Sequence, residues 1–478
     1  MDGDRVALGG GRRRGALSGR TGWLLVGLGC VGLIAALLHA LWGPLGLRQL
    51  IAASDSPAAT FPRVFEPPAA AQRGIPSAIA CASAGNCVAV VRDEAFGAFF
   101  VTANVATETR GRWGAVRAIS LPAGAKGSGQ ITQLTSVSCP AIRECVAVGQ
   151  YLDSRTSFQG MYVAESQGVW RRAGALELPA NANPTVGDEA ADLTSVSCPS
   201  PGNCAAVGHY GASTTPSLAM ATTETRGVWG RAVQIKPPAG ANTTLGHEIA
   251  ELGSVTCISS GDCVATGQYN DSHDDAQPMV VTETHGRWAR AIRIDLPAQA
   301  TTAQVGLGSV ACASRGNCVA LGTFQAAYGD QGITVTETRG RWARATVLSA
   351  PRGAGWLLKS VSCRAGSCVA AGGYDTATGT YPIVTRESNG KWTAPLALQL
   401  PNTAASKIAN NGQNAFFAAI SCTNHETCTA VGQYEVPFGP RTLGYAYRAA
   451  MTAVETHGHW SKPTPVTLSQ STSNTTRQ

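Results

Sequence analysis

Short runs of small apolar residues, separated by polar turns, succeed one another in the same order seven times between residues 77 and 467. Residues 252–298 hold one complete copy. SVTC (254–257) and CVATGQY (263–269) are β-branched or small apolar runs bounded by turn formers, the pattern of short strands. Between them ISSGD supplies the glycine of a hairpin loop, where other copies carry PSPGN, ASRGN or ASAGN. MVVTET predicts a third strand, leading through His285 and Gly286 into a fourth, RWARAIRIDL. Period-two alternation puts Trp288, Arg290, Ile292, Ile294 and Leu296 on one face of that strand. The LPA behind it ends the strand, because proline cannot donate to the ladder. The SVSC-like core of the first strand is uncharged in every copy, which predicts an inner strand. The fourth, with Arg287, Arg290, Arg293 and Asp295, reads as a charge-guarded outer edge.

Each copy carries two cysteines and a closing tryptophan. The first cysteines are Cys81, Cys139, Cys198, Cys257, Cys312, Cys363 and Cys422, spaced by 51 to 59 residues. That period is near the roughly 50 residues of kelch-type blades. The second cysteines are Cys87, Cys145, Cys204, Cys263, Cys318, Cys368 and Cys428, and the tryptophans are Trp113, Trp170, Trp229, Trp288, Trp342, Trp392 and Trp460. A four-stranded sheet of this length cannot bury both faces alone, so seven of them predict radial stacking. The expected fold is all-β: a seven-bladed β-propeller of four-stranded antiparallel blades, preceded by one N-terminal transmembrane helix. A linear β-solenoid is the alternative, though its repeats are usually shorter.

The flanking segments add a compartment. Residues 1–22 form a basic tail with five Arg against two Asp, and residues 23–42 are apolar, Gly or Ala except His39. At about 1.5 Å per residue that run is long enough for a bilayer core of about 30 Å. The basic flank predicts a cytoplasmic N-terminus and an extracytoplasmic remainder. A cleaved signal peptide competes, but the apolar run is long and no A-x-A site follows it. Gly27, Gly29 and Gly32 spell a dinucleotide-binding string, yet neither a preceding strand nor a βαβ unit supports it. Residues 43–76 read as a Pro/Ala-rich linker. Within it, 61–67 resembles the end of a fourth strand and is a candidate closing strand for the ring. Residues 77–468 make the propeller and 469–478 a polar tail.

The cysteine pairs lie at facing ends of two hairpin strands, which predicts one disulfide per blade, in keeping with export. Zinc is the rival reading, but a structural zinc site needs four ligands and each blade offers two cysteines. A glutamate precedes every fourth strand: Glu108, Glu165, Glu224, Glu283, Glu337, Glu387 and Glu455. A group repeated in all blades cannot occupy one active site, so a structural pairing with Arg or across the hairpin is expected. The recurring Tyr151, Tyr210, Tyr269, Tyr374 and Tyr434 read likewise as packing. Function is expected where copies differ, on loops. Asp188, Glu189 and Asp192, then His247, Glu248 and Glu251, precede two first strands. Asp271, His273, Asp274 and Asp275 follow a second strand. Together they are candidates for an acidic rim on one face; solvated loop charge is the plainer alternative. Their spacing does not match a calcium loop, and no metal or cofactor is expected. No nucleophile elbow, zinc-protease motif or P-loop occurs. The net charge of +7 is dispersed beyond the tail, so no nucleic-acid groove is indicated.

The block SVSC-x5-C-x-AVG-x-Y followed by E-T-x-G-x-W resembles a family of bacterial exported repeat proteins over residues 77 to 467. The resemblance implies export and a propeller, and brings no active residues with it. A looser similarity is to sialidase-like propellers, whose blades bear S-x-D-x-G-x-x-W boxes. TETRGRW at 107–113 lacks the Asp, and the sialidase Arg triad has no counterpart here. The expected function is a membrane-anchored extracytoplasmic binding module for an envelope glycan, another envelope component or an exported protein. The alternatives are an exported glycosidase or lyase using loop carboxylates, and a structural spacer.

Overall fold

The computed structural model describes residues 74–468 apart from 93–102, 127–130, 183–189, 213–214, 245, 299, 301–304, 327–328, 349–355, 377, 389, 405–412 and 439–445. The apolar run at 23–42, the candidate closing strand at 61–67 and the tail at 469–478 lie outside the described residues. No helix among the described residues is long and apolar enough to cross a membrane.

Seven sheets follow one another, each built from one sequence copy and antiparallel, save that in blade six Gln413–Asn414 adds a short parallel pair. In blade four the first strand is Ala250–Ser259, the second Asp262–Asn270 and the third Ala276–Thr284, paired in that order. The first strands of successive blades touch, and that of blade seven (Phe416–Asn424) touches that of blade one (Ile75–Ser83). The ring is therefore closed, with the first strands, uncharged in their SVSC-like cores, as its inner wall. This is a seven-bladed propeller.

The SVSC motif has a direct physical use in that wall. Its two serines accept hydrogen bonds from backbone amides of the next blade. Val255 and Cys257 donate to Ser195 and Ser197, at 3.1 and 2.9 Å. Ile420 and Cys422 donate to Ser360 and Ser362, at 3.2 and 3.0 Å. The same bond runs from Cys81 N to Ser421 Oγ at 3.0 Å and so joins the last blade to the first. Serine satisfies an amide that the sheet edge would otherwise leave unpaired against the neighbouring blade. Apolar packing reinforces the closure: Ile79 and Cys81 meet Ala419 and Val431, and Leu468 packs on Val91 and Ala106.

Between blades lie the cores. Val255, Ala265, Tyr269 and Met279 of blade four pack on Val207, Ala219 and Ala221 of blade three. Tyr151, Tyr210, Tyr269 and Tyr434 are buried, with Phe324 in the same role in blade five. The Tyr210 hydroxyl donates to Asn181 at 2.8 Å, so its polar end is satisfied where the ring is not wet. Each fully buried side chain of this size contributes about 1.5–3 kcal/mol of transfer free energy.

The outer strand departs from its predicted form. RWARAIRIDL does not alternate over its length; it pairs only at Arg287–Trp288 and Ile292–Arg293. Ile292 is exposed, whereas Ala291 and Ile294 are buried. The cause is a break at 289–291, where the Ala291 amide leaves its own sheet and donates to Lys236 O of blade three at 2.9 Å. Ala173, Ala232 and Ala345 do the same toward Ser120, Glu177 and Asp295. Satisfying an amide on the neighbouring blade outweighs strand regularity here, and the ring gains a second belt of bonds at its rim.

All seven cysteine pairs are disulfides: 81–87, 139–145, 198–204, 257–263, 312–318, 363–368 and 422–428. Each closes a short hairpin loop, worth about 2 kcal/mol by chain entropy. Beside each disulfide sits the recurring glutamate, in register with the second cysteine on one side and the tryptophan on the other, as in Cys263–Glu283–Trp288. The x-Gly pair that turns this hairpin has positive φ at both residues, 51° at His285 and 77° at Gly286. That is the twist a two-residue hairpin demands. In blade seven the second and third strands are long, Thr427–Pro437 and Ala446–Thr456.

Candidate functional site: the central cavity of blades three to six

Each inner strand carries one extra residue, a bulge, near its start. The residues at that place are Ser77, Thr135, Thr194, Gly253, Gly308, Lys359 and Ala418, taking blades one to seven in order. A bulge re-aims its side chain out of the sheet's alternation. In blades two and three the threonine hydroxyl donates to the inner strand of the next blade, Thr135 to Leu193 O and Thr194 to Leu252 O at 2.6 Å. Glycine in blades four and five has no hydroxyl to make this tie and no side chain to fill the space. A Cβ added at Gly308 would meet nothing within 4 Å. A cavity of about 600 Å³ opens there, lined by Thr194, Gly253, Gly308 and Lys359 together with Glu251, His209 and Gln268. Small-molecule sites usually fall between about 300 and 1,000 Å³.

Two residues before each bulge the copies differ again. Ile75, Gln133, Asp192, Glu251, Gly306, Leu357 and Phe416 occupy this position, so acids occur in blades three and four alone. Asp192 pairs across its sheet with His209, and Glu251 with Gln268. Ser217 donates to Glu251 Oε1 at 2.9 Å and Gln268 to Oε2 at 3.4 Å, which fixes that carboxylate in place. Asp192 Oδ1 and His209 Nδ1 are both enclosed without a protein partner among the described residues. Burial pushes the Asp192 carboxyl above the usual range; His209 opposes the shift and Glu251 adds to it. Across the cavity on blade six, Lys359 is exposed, its Nζ 5.1 Å from the centre of the Phe416 ring.

The sequence-selected residues divide into two groups. Asp192 and Glu251 are not in loops ahead of the first strands, as expected from sequence, but are the second residues of inner strands Ala191–Ser200 and Ala250–Ser259. Strand pairing carries Glu251 to the cavity; Asp192 is not among its lining residues but lies across its sheet from His209, which is. The second group forms a self-contained knot on blade four. Asp271 Oδ1 accepts from His273 N at 2.9 Å and Asp275 N at 3.3 Å. Asp274 accepts from His247 and Asn270 at 3.0 Å each, bonds that hold its carboxyl below the usual range, His247 foremost. Blade two builds the same turn with Asp153, whose Oδ1 takes Arg155 N and Ser157 N at 2.8 and 2.9 Å. These acids shape loops. Glu248 is half-buried and adds to the raised pKa of Tyr210, whereas Asp188 and Glu189 lie outside the described residues. No group of three or more His, Cys, Asp or Glu side chains among the described residues could hold a metal ion.

His209, Gln268, Ser217, Lys359 and the glycines at 253 and 308 were not singled out from sequence. A signal was present: aligned column by column, the seven copies diverge at these very positions. Their importance depends on the bulge, which the alternation pattern does not reveal.

No protein-family model matches the chain, and no curated protein matches it. Solved structures with some likeness include the Dos1 propeller, 10% identical over 83% of this chain and 94% of that one, TM-score 0.42. The GH93 α-L-arabinofuranosidase of Fusarium graminearum, in complex with arabinobiose, is 12% identical over 81% and 95%, TM-score 0.40. A Hadza microbial sialidase is 10% identical over 69% and 71%, TM-score 0.40. The propeller assignment stands on the strand pairing and ring contacts of this chain itself.

Proposed function

We propose that this chain is a membrane-anchored extracytoplasmic binding module that takes a component of the cell envelope into the cavity of blades three to six. The observation that carries the reading is where the copies diverge. Residues that build the ring recur from blade to blade, whereas those lining the cavity change, opening space at Gly253 and Gly308 and placing an acid at Glu251 and a lysine at Lys359. Seven disulfides suit an extracytoplasmic domain. The apolar run 23–42 behind a basic tail supplies the anchor and its orientation.

Filling the cavity tests this. Gly253→Thr with Gly308→Thr installs the residue that blades two and three already carry, at positions with room for it. Immobilised full-length protein in detergent is expected to retain a fraction of solubilised envelope material. The double variant is expected to retain it at least about tenfold less well, a loss of about 1.4 kcal/mol, at an unchanged thermal midpoint. Equal retention by both, or none by the parent, would contradict the assignment. The second reading, an exported glycosidase or lyase, draws on the raised Asp192 carboxyl beside Glu251. It requires new reducing ends to appear in the same incubation.

A further inference from the structure

The cavity carries opposite charges on separate walls. Glu251 stands on blade four and Lys359 on blade six, and both line the same space. Among the described residues Lys359 makes no ion pair, and its ammonium remains exposed beside the Phe416 ring. Glu251 is oriented by two neutral donors, Ser217 and Gln268, which leave its charge uncompensated. The lining also includes Gly253, Gly306 and Gly308, with Leu307 and Leu358 of the neighbouring inner strands. That stretch favours close approach of a backbone or a small apolar group. Both charges occupy the positions where copies differ: acids stand before the bulge in blades three and four, and a lysine stands at the bulge in blade six.

We propose, on the binding-module reading above, that the cavity recognises an amino-acid-like zwitterion. Its ammonium group lies at Glu251 and its carboxylate at Lys359. A short peptide, or the peptide portion of an envelope component, has this chemistry; a neutral glycan does not. Charge-assisted hydrogen bonds at both ends fix the direction in which such a ligand lies.

Tri-alanine spans about 10 Å when extended and is a suitable probe. Full-length protein in detergent is titrated by calorimetry with tri-alanine, its N-acetyl form and its C-terminal amide. Each cap is expected to weaken binding about tenfold or more, the loss of one charge-assisted bond. Glu251→Gln is expected to abolish the penalty for acetylation and keep that for amidation, and Lys359→Met the reverse. The proposal is overturned if all three forms bind alike, or if the two variants respond identically to both caps. It is also overturned if none of the peptides binds while envelope retention stays sensitive to the Gly253→Thr/Gly308→Thr pair; the cavity would then hold a ligand of other chemistry. Loss of both retention and peptide binding in the parent protein would remove the cavity as a site altogether.

Discussion

Gly267→Ala is expected to destabilise the propeller by about 3 kcal/mol or more, at the upper end for overpacking. An added Cβ would lie 1.9 Å from Glu251 O and 2.9 Å from Leu252 Cα, both backbone atoms. Neither can retreat easily. The inner strand is paired to its own second strand on one side and tied to blade three through Ser195 and Ser197 on the other. The contact recurs in six blades. Gly149, Gly208, Gly322, Gly372 and Gly432 each have a carbonyl oxygen 1.8–2.1 Å from the position of a Cβ. In these six blades the inner backbone at the bulge lies over the second strand, and glycine leaves room for it; blade one carries the bulge with Val91 at the equivalent place. Because the displaced carbonyl belongs to Glu251, ligand retention should fall together with stability. A urea midpoint within experimental scatter of the parent would refute this account of the glycine. Gly308→Thr, whose side chain enters open space, is the matched control.

Stability is expected to fall as pH rises through the weakly acidic range. All seven recurring glutamates are buried, and in six of them, Glu108, Glu165, Glu224, Glu283, Glu337 and Glu387, burial raises the pKa above the ordinary 4.5. Desolvation disfavours the charged form, and few donors offset it. Glu283 takes one from Thr223 at 3.2 Å and Glu387 one from Gly390, while the other oxygens of several are enclosed without a protein partner among the described residues. Glu455 differs, because Arg386 pairs with it. A raised folded pKa means that the native state binds more protons than the unfolded chain between the two values. Their contribution is therefore full below 4.5 and is lost as pH climbs through the folded values. The half-buried Asp262 and the exposed Asp274, with lowered pKa, act in the other direction, but their effect appears below 3.8. Thermal midpoints should thus be higher near pH 5 than near pH 8, and Glu283→Gln should flatten the slope. A midpoint that rises over that window would contradict the direction of these shifts.

How far the sequence could be read follows from which features are periodic. The cysteines, the closing tryptophan and the x-Gly turn repeat at fixed offsets, so blade number, strand order and the disulfides followed from spacing. The inner position of the uncharged strand followed from its lack of charge. The outer strand was misjudged because its break at 289–291 satisfies a partner on another blade, and no local pattern encodes that. The site was half legible. Asp192 and Glu251 attracted notice as acids and were assigned to loops. Placing them in strands, opposite His209 and Gln268, required knowing the register, which a single bulge shifts by one residue. Lys359 stands out only when the bulge position is compared across blades. Asp271 and Asp274 drew attention for the same charge, yet their oxygens are occupied by loop amides and side chains.

Photo-crosslinking tests the central claim, that ligand enters the cavity of blades three to six. The photoreactive residue p-benzoylphenylalanine is placed at position 308, where Gly308 faces open space, and separately at position 292, where Ile292 is exposed on the outer edge. After irradiation with envelope extract, adducts are expected from the first position and not from the second. Adducts formed only at position 292, or equally at both, would contradict the assignment of the cavity as the binding site.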